Sequence, residues 1–253
     1  MEHPTKSSAM QLGLLVFGAL AILTAVEFTI ALTTNLWQLL AVIPFIKAGL
    51  VLYYYMHISR LFENDEDADR ESFAYKLATN RIGLWLFLLS DLFIFGGLMI
   101  SRINLLGLTR PDLIQYLGLG VTTILLISSF FANRAEVSME SGDQKQFLVS
   151  ISITMSLGIL FLLGVLGVEW RLAPFGPSTN LAGAIFYIMT GFHAFHVFSG
   201  VIFLAIVLRN GAHGLYSREK HWGVEASVVY WHFVDVVWFF FYPALYLIGT
   251  LAK

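Results

Sequence analysis

Apolar residues run in seven long stretches, at about residues 11–33, 36–58, 82–103, 113–133, 147–168, 181–208 and 225–249, divided by short polar turns. Each exceeds the ~18 residues that separate a spanning segment from a core helix, and at ~1.5 Å per residue each crosses the ~30 Å hydrocarbon layer of a bilayer. A lone strand leaves its backbone unpaired in lipid, so these segments are helices. The pattern predicts an all-α polytopic membrane protein of seven transmembrane helices. A hydrophilic acidic stretch, Phe62-Glu-Asn-Asp-Glu-Asp-Ala-Asp-Arg-Glu71, follows the second of them. It divides the chain into a two-helix hairpin at 1–58, a linker at 59–78 and a five-helix bundle at 79–253. The stretch reads first as a solvated connector, and second as a docking surface for a basic partner. The remaining loops are too short to fold alone, so any chemistry lies among the helices.

Composition removes other classes. Hydrophobic residues make up 57% of the 253 and charged residues 13%, against the roughly 25% charge that a soluble domain carries. There is no cysteine, hence no disulfide, thiolate-bound iron–sulfur cluster, cysteine-ligated zinc or thiolate-bridged copper. A net charge of −2 gives no reason to propose nucleic acid as a partner. The first stretch is too long for a signal-peptide core and lacks a small-residue cleavage site, so it is expected to remain as a helix. Lys and Arg set the direction of insertion. Ten fall on the N-terminal side (Lys6, Arg60, Arg70, Lys76, Arg81, Arg134, Lys145, Arg209, Arg218 and Lys220) and four on the other (Arg102, Arg110, Arg171 and Lys253), with Lys47 inside a span. The N-terminus and linker are therefore expected in the cytoplasm and the C-terminus outside.

Charges at lipid depth cost at least ~2.5–3.5 kcal/mol each on insertion scales, so each demands a partner or a use. Counting from the cytoplasmic span ends at ~1.5 Å per residue places Asp91 and Asp235 near 15 Å, His196 near 18 Å with His193 one turn further out, and Lys47 near 16 Å. Three spans thus bring Asp91, His193, His196 and Asp235 to one layer, which favours mutual hydrogen bonding or ion pairing. His232 and Asp235, i and i+3, share a helix face and can also pair directly. The first reading is a polar clasp locking helices together; a proton-handling carboxylate and a lipid-headgroup site are the alternatives. No metal site is expected. His193 and His196 have suitable spacing, but no cysteine or third ligand joins them on that helix, and no histidine pairs are spaced for stacked haems. In the hairpin, Glu27 and Lys47 are offset by about 8 Å, a gap that a lysine side chain can close or avoid by snorkelling. Pro44 and Pro243 predict kinks. Trp170, Tyr216 and Trp222 fall at span ends, where aromatic belts form. Trp231, Asp235, Trp238 and Tyr242 mark one packing face of the last helix.

Three segments carry a resemblance. Residues 183–200, Gly-Ala-Ile-Phe-Tyr-Ile-Met-Thr-Gly-Phe-His-Ala-Phe-His-Val-Phe-Ser-Gly, resemble the "FY-x-x-TGFHG-x-HV-x-x-G" helix of haem–copper oxidase subunit III. Glu225-Ala-Ser-Val-Val-Tyr-Trp-His-Phe-Val-Asp-Val-Val-Trp238 resembles that family's last helix, and Leu84-Trp-Leu-Phe-Leu-Leu-Ser-Asp-Leu-Phe-Ile-Phe95 its "W-x-F-x-x-SE-x-x-FF" helix. Glu169 falls where the family has an acidic residue. The match covers about 79–250 and departs at Asp91, where the family usually has the glutamate that reacts with carbodiimide. Two further helices of the longer members enclose a phospholipid-filled cleft. Here Leu23-Thr-Ala-Val-Glu27 and Lys47-Ala-Gly-Leu-Val-Leu-Tyr-Tyr-Tyr-Met-His57 are instead similar to the small bacterial oxidase subunit IV.

The resemblance implies a non-catalytic accessory subunit of a proton-pumping terminal oxidase that reduces dioxygen to water in the bacterial cytoplasmic membrane. It implies packing on subunit I and other subunits, bound phospholipid and support for proton uptake. Haem and copper belong to the partner subunits and none to this chain. It makes Asp91, with a histidine or hydroxyl partner, the module's buried acid. Alternatives are an accessory subunit of a quinol oxidase or nitric oxide reductase, a proton-coupled transporter, and a stand-alone haem protein; no inverted repeat or pair of broken helices supports the transporter.

Overall fold

The computed structural model describes residues 6–34, 36–58 and 73–251. Most of the acidic linker, 59–72, lies outside the described residues. Among the described residues seven helical spans are long and apolar enough to cross a membrane. The hairpin consists of α1 (Lys6–Thr33) and α2 (Trp37–Leu50), the latter running on through a π-helical stretch, Val51–Tyr55. Then come α3 (Phe73–Leu106), α4 (Gln115–Glu140) and α5 (Gln144–Leu162). The last continues through a π stretch, Leu163–Glu169, into the closing turn α6 (Trp170–Leu172). The chain ends with α7 (Leu181–Ala212), α8 (Trp222–Tyr242) and a final π stretch, Pro243–Leu247.

Hydropathy located every span but shortened several. α3 begins at Phe73 and α4 reaches Glu140, because an apolar window ends where the hydrocarbon ends while backbone hydrogen bonding continues into the polar interface. Pro44 sits within α2, and Pro243 marks the change of α8 from α to π geometry. Proline lacks the N–H that would continue the α ladder, and the wider turn absorbs the break.

α8 is the axis of the bundle. It packs against α4, α7, α3 and α2, and residues all round its circumference are buried, so the expected single face of Trp231, Asp235, Trp238 and Tyr242 is only part of its contact surface. Between helices in lipid, association rests on close van der Waals packing rather than on escape from water. Gly200 shows how this is met: a Cβ there would lie 2.9 Å from the Trp231 ring, which also packs against Gly158. The hairpin does not stand apart, since α1 lies along α4 and α2 along α8. The α4–α5 turn closes on Gly142 at φ +76° and on Asp143, whose side chain accepts from the Gln146 N–H at 3.0 Å and caps α5.

Candidate functional site

The mid-depth polar residues meet as two separate pairs, one of them the expected His232–Asp235 pair. Asp91 on α3 meets His196 on α7, Oδ2 to Nε2 3.6 Å. The other imidazole nitrogen, Nδ1, lies 2.8 Å from the Phe192 carbonyl one turn back, which orients the ring. Ser199 donates to the His196 carbonyl at 2.8 Å and lies 2.6 Å from the Tyr230 hydroxyl, so α8 joins this group through a phenol. Asp235 pairs along its own helix with His232, Oδ2 to Nδ1 3.8 Å, and lies beside Ser129 of α4. The Ser129 hydroxyl and His232 Nδ1 are 2.8 Å apart. Counting along helices carries no information about azimuth, and Asp91 and Asp235 reach different neighbours.

His193 joins neither pair. It is buried among Phe161, Trp238 and Phe241, its ring 4.8 Å from that of Trp238, and neither ring nitrogen has a hydrogen-bond partner. Glu169 is buried in the π stretch after α5 with the Tyr246 hydroxyl beside it. In the hairpin the lysine side chain closes the expected offset: Lys47 Nζ donates to Glu27 Oε2 at 2.5 Å with both side chains fully enclosed. Among the described residues no group of three or more His, Cys, Asp or Glu side chains is placed to hold a metal ion.

Two anchors escaped sequence reasoning. Arg102, counted there as an outside charge, is buried; Nε donates to the Ala244 carbonyl at 2.8 Å, and its terminal nitrogens to Gly107, Thr109 and Ile248. It closes the last turn of α3 against a short parallel pairing of β1 (Thr109–Arg110) with β2 (Thr250–Leu251). Its four acceptors are main-chain carbonyls, which no side-chain pattern reveals. Near the start of α8, Arg81 grips Glu225 with two hydrogen bonds, 2.7 and 3.1 Å, fastening α3 to α8. Nearby, Lys6 donates to Asp143 at 2.6 Å; that bond, with the Gln146 N–H, holds the Asp143 carboxyl below the usual carboxylate range.

An apolar groove of about 400 Å³ opens between the start of α2 and the end of α3, lined by Trp37, Pro44, Phe45, Met99, Ile103 and Phe240 among others. Arg102 forms part of its wall, with its donors turned to carbonyls.

The comparison that decides the identity covers nearly the whole chain: the family described as "Cytochrome c oxidase subunit III" matches residues 6–250. The chain belongs to that family. Individual relatives agree. "Cytochrome c oxidase subunit 3" of Thermostichus vulcanus is 33% identical over 174 residues, 66% of this chain and 86% of the relative. The protein of the same name from Synechocystis is 37% identical over 174 residues, 66% of this chain and 74% of the relative. That of Sus scrofa is 40% identical over 129 residues, 51% of this chain and 49% of the relative. As a subunit III the chain is a multi-pass membrane protein and an accessory subunit of a terminal oxidase, working in a complex with other oxidase subunits. The family match begins at residue 6, so it takes in the hairpin as well as the five later spans.

Proposed function

We propose that this subunit sits in a bacterial cytoplasmic membrane with its N-terminus inside and its C-terminus outside. It packs against subunit I, retains phospholipid and sustains proton uptake, while haem and copper reside in the partner subunits. The hairpin, 1–58, acts as a subunit IV-like element fused through 59–78 to the subunit III-like bundle, 79–253; its docking along α4 and α8 supports that role, because a fused element must seat on its own bundle. The groove between α2 and α3 suits a lipid acyl chain: its wall is almost wholly apolar, and Arg102 turns four of its five donors to main-chain carbonyls.

The observation that carries the proton reading is the placement of Asp91. It lies on α3, the span least enclosed by the rest of the chain, and its Oδ2 faces His196 without completing a hydrogen bond. A carboxylate and an imidazole so placed can exchange a proton with each other. In the assembled oxidase, Asp91→Asn leaves assembly and initial turnover intact while slowing proton uptake or shortening the enzyme's working life. Unchanged uptake kinetics and unchanged durability together would make the pair a helix clasp only.

A further inference from the structure

On the outer side, five ionisable side chains from four segments stand in file, away from the Asp91–His196 pair. Lys47 and Glu27 form the enclosed ion pair, with the Lys47 ammonium 5.1 Å from the Phe239 ring centre. The second Glu27 oxygen, Oε1, has no hydrogen-bond partner, and Tyr242 is the phenol within its electrostatic reach. One turn on, the Tyr246 ring lies 5.6 Å from that of Tyr242 at 33°. The Tyr246 hydroxyl in turn faces the Glu169 carboxyl, and neither the two phenols nor the two Glu169 oxygens complete a hydrogen bond of good geometry. Depth runs outward along the file. Lys47 is ten residues from the outer start of α2, about 15 Å in, and Glu169 three residues from the end of α6, about 5 Å in.

Another buried phenol, Tyr55, reaches the Gly13 carbonyl of α1, while Thr24 and Thr190 spend their hydroxyls on their own helices, on the Leu20 and Phe186 carbonyls. A phenol stands too far from its own backbone for such a bond. A run of buried polar atoms left unsaturated beside one another is costly, and sites of that kind concentrate where a proton or ligand is handled.

We propose that Glu169 and Tyr246 form a proton-holding site at the outer end of the bundle, joined through Tyr242 to the Lys47–Glu27 pair. Transfer along it balances without a lasting phenolate. Tyr242 gives its hydroxyl proton to Glu27 and takes that of Tyr246; Tyr246 takes the proton of Glu169. One proton has then moved inward, and Glu169 is left as the carboxylate. Lys47, which stays beside Glu27, sets the inner end of the chain.

The test is an infrared pH titration of the intact, mildly solubilised oxidase, following the carboxylic-acid C=O band in wild type and in Glu169→Gln, Tyr246→Phe, Tyr242→Phe and Glu27→Gln. Glu169→Gln removes a titrating band. Tyr246→Phe, which keeps the ring against Gly118, moves that band's midpoint by about one pH unit, tenfold in proton affinity. Tyr242→Phe and Glu27→Gln move it less, in that order. A band that survives Glu169→Gln, or a midpoint indifferent to Tyr246→Phe, overturns the site. A midpoint that follows Tyr246→Phe but ignores Glu27→Gln overturns the chain beyond Tyr246. Should Glu169→Gln fail to assemble, the Tyr246→Phe midpoint decides.

Discussion

α3 and α8 both carry an aspartate at mid-membrane depth, and the rest of the chain treats them in opposite ways. Only 17% of the spanning window of α3 is buried inside the protein, against 94% for α8, yet α3 is the more apolar of the two. The ordering is physical. A helix facing lipid has no neighbour to satisfy a polar group and must be apolar on its open side. An enclosed helix can hold His232, Asp235 and Glu225 because Ser129 and Arg81 stand opposite them.

The contrast breaks most visibly through packing. Trp231→Ala empties the space between Gly158 and Gly200 and costs about 3–5 kcal/mol in thermal unfolding of the complex. Phe93→Ala on α3, at a side chain 75% exposed in this chain, costs less than about 0.5 kcal/mol when the subunit is unfolded apart from its partners. Equal losses would erase the distinction between the helices. Electrostatics gives the next effect. Lys47→Met strands the enclosed Glu27 and costs about 3 kcal/mol, while Lys47→Met combined with Glu27→Leu regains most of it, a cycle read from unfolding midpoints. Arg102→Met, which removes the buried guanidinium in the last turns of α3, leaves four carbonyls short of a donor and costs about 2 kcal/mol, with earlier proteolysis near Gly107 as its signature.

The smallest effect lies at the α4–α5 turn. Asp143 titrates below its unfolded value, so its contribution is present above the ordinary carboxylate range and disappears as pH falls through the folded value. Wild type and Asp143→Asn, which keeps the cap but loses the charge facing Lys6, therefore differ in unfolding temperature at neutral pH and converge in acid. A gap that widens in acid reverses the sign and removes Lys6 as the cause.

Much of this was legible in the sequence, and the limits are instructive. Seven spans follow from apolar run length, and family membership from the wording of three of them. The Glu27–Lys47 pair was legible because two antiparallel helices joined by a short turn fix each other's register. The meeting of Asp91 with His196 and of His232 with Ser129 was not, since spacing along a helix gives depth while the facing neighbour depends on how helices from distant parts of the chain rotate against each other. Arg102 stayed hidden because its partners are carbonyls, and the Tyr242–Tyr246–Glu169 file because a π stretch re-aims its side chains away from the α repeat.

The central claim is that this chain is the redox-silent companion of a haem–copper oxidase. Mild-detergent purification of the tagged chain from its own membranes tests it most directly, with subunits identified by mass and pigments by absorption. The account predicts co-purification with haem-bearing oxidase subunits, and a chain that is colourless once separated from them. Haem retained by the isolated chain, or purification with no oxidase subunit attached, would contradict it.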